Sequence, residues 1–217
     1  MTIKILHLYS DFMNLYGEYG NVRLLTKALA DKGYDVNLEK KTITDTDIDF
    51  ESYDFIYCGA GTESKRTFAL NHLKNFKENL KSAFENNKVM LFTGNSWEML
   101  GKSIETADGN VTDGLNLFDF EVKEQNARRL TGDIKAKAEF IETELIGFIN
   151  KCSEIKGVNS PLFTLTMKPE SFAFETEGIR EKNFFGTQIV GPVLVKNPAF
   201  CEYIAELIIK NKDELSN

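Results

Sequence analysis

At 217 residues, 42% hydrophobic and 27% charged, the chain has ordinary globular composition and enough length to bury one sizeable core. A formal net charge of −7, carried by acidic residues spread along the sequence rather than massed in a tail, excludes a general nucleic-acid or anionic-membrane surface. No apolar run reaches the roughly 18 residues of a membrane span, and three widely spaced cysteines with only two histidines exclude a disulfide framework and a structural zinc site.

The chain enters strand-like sequence at once, without a basic, then apolar, cleavable leader, which with the odd cysteine count predicts a cytoplasmic protein. Residues 3–9 (IKILHLY) read as a central parallel strand, and the loop 10–21 that follows carries Gly17 and Gly20 among polar residues. That loop lacks the spacing of a phosphate cradle and no Walker-type Gly-Lys-Ser/Thr occurs anywhere, so neither a nucleotide nor any other cofactor is expected. Asn21 reads as the N-cap of a helix through Lys32, with Val22, Leu25, Ala28 and Leu29 on its apolar stripe and Gly33 ending it. A second strand is expected over 34–38, an acidic connection over 44–52, and a third strand over 55–58, stopping at Gly59, Ala60, Gly61 and Thr62.

A long amphipathic helix is predicted over 65–86, with Ala69, His72 or Leu73, Phe76, Leu80, Ala83 and Phe84 inward and its charges on a solvated face. His72 on that stripe reads as a packed histidine. Next comes VMLFTGNSWEMLG, residues 89–101, in which a buried apolar run breaks at Gly94, Asn95 and Ser96 and resumes as a short helix. A strand-turn-helix junction of this kind lies at the carboxyl end of a parallel strand, where α/β proteins place ligands and nucleophiles, and a glycine at its apex permits an unusual backbone angle.

The remainder is strand-rich, with apolar runs at 115–118, 119–122, 132–136, 146–149, 163–167, 172–174 and 185–189. Asn197 and Pro198 then form an N-cap and first-turn pair for a terminal helix whose Phe200, Ile204, Leu207 and Ile208 face inward.

Several of these segments resemble class I glutamine amidotransferases, in the cobyric-acid-synthase-like branch that includes the glutaminase subunit of lipid II isoglutaminyl synthase. The junction at 89–101 resembles the family's nucleophile elbow, which reads apolar strand, Cys-Gly-Gly-aromatic-Gln-Leu-Leu-Gly. Gly94 falls on the Cys position, Asn95 and Ser96 on the two glycines, and Trp97 on the aromatic. The loop LYSDFMNLYGEYGN, the Gly59-Ala60-Gly61 turn, residues 129–134, Gly147 with Phe148 and Asn150, and residues 186–194 also match, in the family's order along the whole chain. In the last block the family carries its catalytic His; here that position is Val190. The resemblance implies one α/β domain over 1–217: a three-layer, flavodoxin-like, mostly parallel sheet with helices on both faces and a small antiparallel addition in the C-terminal half.

It also implies a site. The turn at Gly59, Ala60 and Gly61 corresponds to backbone donors of an oxyanion hole, which depend little on side chains, and Arg129, Asn150 and Asn95 border the same place. Arg129 reads either as a contact for an acidic ligand or partner or as an exposed structural ion pair. Glutamine hydrolysis by this fold needs a thiolate and a base for its proton, and Gly94 and Val190 supply neither. No histidine follows residue 72. The leading expectation is therefore a degenerate amidotransferase-like protein without glutaminase activity. It would act as a binding or regulatory subunit for an ATP-dependent, Mur-ligase-like or cobyrinate-type synthetase, or as a pocket for a small amide or amino acid. The alternative is a working glutamine amidotransferase that supplies ammonia to an amide-forming ligase from a relocated nucleophile such as Cys58, which ends the neighbouring strand. Thr93 and Ser96 are expected to point into the core or along the helix, Cys201 reads as packing, and Cys152 borders the pocket if the match at 147–150 holds.

Overall fold

A computed structural model describes residues 1–125 and 129–214. The first half alternates strand and helix: β1 (Thr2–Leu8), α1 (Tyr19–Asp31), β2 (Asp35–Lys41), β3 (Phe55–Cys58), α2 (Glu63–Leu73), α3 (Lys77–Glu85) and β4 (Val89–Thr93). Short strands follow: β5 (Ser103–Glu105), β6 (Val111–Asp113), β7 (Glu121–Glu124), β8 (Leu130–Ala138), β9 (Ile141–Lys151), β10 (Ser153–Lys156) and β11 (Phe163–Met167). The chain closes with β12 (Thr176–Glu177), β13 (Ile179–Glu181), β14 (Phe184–Thr187), β15 (Ile189–Val190), α4 (Val193–Lys196) and α5 (Pro198–Glu214).

Six strands form the main sheet in the order β13-β14-β4-β3-β1-β2, parallel throughout except for β13 against β14. Every residue of β3 and β4 is buried, as strands covered on both faces must be. Side chains alternate across the sheet. Ile5, Phe55, Tyr57, Val89 and Leu91 face a core completed by Val22, Leu25 and Leu29 of α1 and Phe200, Ile204 and Ile208 of α5. Leu6, Leu8, Ile56, Cys58, Met90 and Phe92 face the opposite core, with Ala69, Leu70 and Leu73 of α2 and Leu80 and Ala83 of α3. Two antiparallel-rich sheets, β10-β7-β5-β6 and β12-β11-β8-β9-β15, make up the C-terminal addition. No described helix is long and apolar enough to cross a membrane.

The structure departs from the sequence expectations at definite places. The predicted helix over 65–86 is broken by a 3-10 turn at Lys74–Phe76, which rotates Phe76 onto His72 (ring centroids 5.2 Å) and Phe50 (6.5 Å) and redirects α3. Its charges are not all solvated: Arg66 is buried at 1% exposure. Asn21 is no N-cap, since α1 begins at Tyr19; its amide instead donates to the Tyr57 hydroxyl, and its oxygen accepts the Leu194 N–H. The run 115–118 forms no strand because its N–H groups cap the elbow helix, donating to the carbonyls of Met99, Leu100 and Gly101. Phe172 and Phe174 stack on each other at 5.0 Å but have no ladder partner. The run 185–189 is divided between two sheets, β14 joining the main one and β15 pairing with β9.

Candidate functional site

The carboxyl ends of β1, β3, β4 and β14 lie side by side in the main sheet, and the loops that leave them meet at residue 94. Gly94 adopts φ +58°, a left-handed backbone that favours glycine. A Cβ built there would lie 2.5 Å from the Ala60 Cβ and 3.1 Å from Val190 Cγ1. Positions 94 and 190 are thus in contact, as a nucleophile and its base would have to be, but both carry packing groups. The Ala60 methyl fills the space that a side chain at 94 would take.

One buried carboxylate ties these loops together. Glu18, from the loop after β1, accepts hydrogen bonds from the hydroxyls of Tyr57 (2.8 Å) and Thr93 (2.7 Å) and from the Gly191 N–H (3.2 Å), with a further bond from the Ala60 backbone. Burial raises its pKa above the ordinary carboxylate value against the pull of those donors.

The oxyanion-hole expectation meets a specific obstacle. The Gly61 N–H donates to Asn95 Oδ1 at 3.0 Å, and Asn95 Nδ2 donates back to the Gly61 carbonyl at 2.9 Å. A donor already paired in this way is not aimed at an incoming oxyanion. Gly59 does not line this space, and a Cβ there would run into the Met13 carbonyl and Glu18. Ala60, Gly61, Asn95, Arg129, Asn150 and Val190 do converge, around a space of about 10 Å3 that also touches Tyr16, Glu63 and Cys152. That is room for one water at most.

Arg129 is engaged on three sides: Nε to Asn150 Oδ1 (2.7 Å), one terminal nitrogen to Glu63 Oε1 (2.6 Å) and the other to the Asn150 carbonyl (3.1 Å). Its pair with Glu63 is a partly exposed ion pair, worth less than about 1 kcal/mol. Burial is the largest single influence on Glu63 and opposes its ionisation, but the bonds from Arg129, its own backbone N–H and Cys152, with the Arg129 charge, together hold the pKa below the usual value.

The thiols are placed differently from the expectation. Cys58 lies on the α2/α3 side of the sheet, in register with Leu8 and Phe92 and fully buried, and burial pushes its pKa far up. It does not border the site. Cys152 does: its Sγ lies 3.2 Å from Glu63 Oε1, and burial with that carboxylate pushes its pKa up to about 12, away from the thiolate. Cys201 is packed inside α5. The Ser96 hydroxyl donates to the carbonyls of Cys58 and Thr93, so both hydroxyls flanking the apex are turned inward. Neither histidine reaches the site; His72 bonds to the Tyr9 hydroxyl and the Asp45 carbonyl, and His7 is buried beside Tyr57.

Beneath the site runs a buried charge network that the sequence reading missed. Arg66 pairs with Glu98 (2.5 Å) and Glu124 (2.6 Å), and Glu98 also accepts from Ser153 Oγ (2.5 Å) and Gln188 Nε2 (2.8 Å). The only local signal was a lone Arg at the start of a helix whose register faces the elbow. Chemically, the arrangement is one of packed and mutually hydrogen-bonded groups; among the described residues no thiolate or imidazole stands at the apex.

Residues 4–198 match the CobB/CobQ-like glutamine amidotransferase domain. The chain is 31% identical over 211 residues to the lipid II isoglutaminyl synthase (glutamine-hydrolyzing) subunit GatD of Staphylococcus aureus strain N315, covering 97% of this chain and 86% of that one. To the subunit of the same name from Streptococcus pneumoniae it is 27% identical over 217 residues, covering 97% and 82%. Among solved structures, PurLQS from Thermotoga maritima superposes with a TM-score of 0.61 at 10% identity over the whole of both chains. The glutaminase domain of Trypanosoma brucei CTPS with bound acivicin superposes with a TM-score of 0.58 at 9% identity, covering 96% of this chain and 94% of that one.

Proposed function

Since the chain belongs to the CobB/CobQ-like glutamine amidotransferase family, we propose that it serves as a non-hydrolysing subunit that docks on an ATP-dependent, amide-forming ligase. The observation that carries this reading is the apex: a glycine at φ +58°, closed over by Ala60 and Val190, where the chemistry requires a thiolate and a base. The paired Gly61 N–H and the 10 Å3 of free space support it. The names of the two relatives, both subunits of lipid II isoglutaminyl synthase, make a ligase acting on a cell-wall precursor a better candidate partner than a cobyrinate-type synthetase.

The same names favour a second reading, in which the chain hydrolyses glutamine and passes ammonia to the ligase. Within this fold that reading has to use Cys152, the thiol beside Glu63 and Arg129, rather than Cys58. Intact-mass measurement after exposure to a glutamine-analogue alkylating label, run with a glutamate-release assay on the chain alone and with its co-purified ligase, separates the two. We expect no adduct and no glutamate in either state. An adduct mapped to Cys152 together with released glutamate would establish the second reading and end the first.

A further inference from the structure

Behind the filled site, and sharing with it the wall made by Lys151, Cys152, Ser153 and Gln188, lies a cavity of about 460 Å3. This is the size of a small-ligand pocket, typically about 300–1,000 Å3. Leu130, Val158 and Phe174 give it apolar walls, and Trp97, Lys151 and Glu177 give it polar ones.

Each polar group has unmet capacity. Trp97 is 1% exposed, and its indole Nε1 has no hydrogen-bond partner among the described residues; a buried N–H donor in that state is rare. The Lys151 ammonium rests 4.3 Å over the Phe174 ring, and no described carboxylate lies within ion-pair distance of it. Glu177 is buried and accepts from Thr187 Oγ1 (2.7 Å) and the Gln188 N–H (2.5 Å); Lys151 acts on it across the space, but no described cation is in ion-pair contact with it. Half-buried Lys151 and buried Glu177 both line this space and attract each other across it, but they are not in ion-pair contact, so each is only partly compensated. An occupant carrying both charges on adjacent atoms would satisfy them together.

We propose that this cavity binds a zwitterionic amino acid with an apolar side chain. Its carboxylate would be taken by Lys151 and the Trp97 N–H, its ammonium by Glu177, and its side chain by Leu130, Val158 and Phe174. This site is separate from the filled one at residue 94, and the proposal does not depend on whether the chain hydrolyses glutamine.

Trp97 is the single tryptophan of the chain, so its emission reports occupancy directly. The test titrates the full chain with L-phenylalanine, with L-phenylalaninamide, which lacks the anion, and with N-acetyl-L-phenylalanine, which lacks the cation, with isothermal calorimetry in parallel. The expected result is a saturable change with L-phenylalanine at a dissociation constant below ~1 mM, and binding at least roughly tenfold weaker for each single-charge analogue. Lys151→Met should weaken L-phenylalanine by at least roughly tenfold and abolish its advantage over the amide. Glu177→Gln should abolish the advantage over the N-acetyl form. Circular-dichroism melting confirms that each variant is folded; Lys151, half-buried, is the safer of the two. No saturable emission change and no heat with L-phenylalanine, equal binding of all three compounds, or wild-type affinity in the folded Lys151→Met variant would each overturn the proposal.

Discussion

Ala60 and Gly94 share one small volume, and this makes their substitutions interdependent. Placing a side chain at 94 sets a Cβ at 2.5 Å from the Ala60 methyl on a left-handed backbone. Gly94→Cys should therefore destabilise the chain by about 1–3 kcal/mol in urea unfolding. Adding Ala60→Gly should recover the steric part, so that the two changes are non-additive; strictly additive effects would show that the crowding does not exist. His7 supplies a pH dependence. Burial, with a smaller contribution from Lys40, lowers its pKa from 6.5 to about 4. The unfolded chain binds the proton first, so stability contributed by neutral His7 is full above pH 6.5 and is lost as pH falls toward 4, up to about 3 kcal/mol. Glu177 runs the other way: burial raises its pKa to about 6, so its contribution is present at low pH and is lost as pH rises through 6. Comparing wild type with His7→Leu isolates the first effect. The melting temperature of the wild type should fall relative to the variant between pH 6.5 and 4, and a constant gap would refute the assignment.

At the scale of the elements, the strands were legible wherever one face met one core. The alternation that sorts Phe55 and Tyr57 to one side and Ile56 and Cys58 to the other is written in β3 itself, and it puts the Cys58 thiol among the buried residues on the α2/α3 side. Runs such as 115–118 were not legible because their hydrogen-bond partners, the carbonyls of Met99, Leu100 and Gly101, belong to a helix end that only the folded chain brings near. Asn197 shows the same limit. It does occupy the N-cap position before Pro198, its carbonyl accepting the Phe200 and Cys201 N–H groups, but sequence could not show that its side chain pairs with both backbone groups of Ile146 in β9 (2.8 and 2.9 Å) and with the Val193 carbonyl, clamping the start of α5 to the antiparallel sheet. Asn197→Ala leaves those groups unpaired, and we expect a loss of about 1–3 kcal/mol in chemical denaturation, well beyond the effect of a surface substitution.

For the whole molecule, the two halves are held in register by charges distant in sequence. Arg66 lies 32 residues from Glu98 and 58 from Glu124, and no local pattern links them; a charge on a predicted helix reads as solvated until its burial is known. Arg66→Met leaves Glu98 facing Ser153 and Gln188 without its cation and should destabilise by ~3–5 kcal/mol, whereas a solvated Arg would leave the unfolding midpoint unchanged. The family's frame was readable because each loop of the site leaves a strand of recognisable pattern. The filling of the site was not, because it depends on three side chains, Ala60, Asn95 and Val190, meeting from separate loops.

Asn95 ends in the same carboxamide as a glutamine, one methylene shorter, and it spans both polar groups of Gly61. In terms of competition it behaves as a tethered inhibitor of its own loop, present at a local concentration of roughly millimolar or higher whatever the surroundings contain. Any free carboxamide that competed for this loop would have to displace Asn95, and its apparent affinity would fall in proportion to the fraction of molecules in which Asn95 has let go.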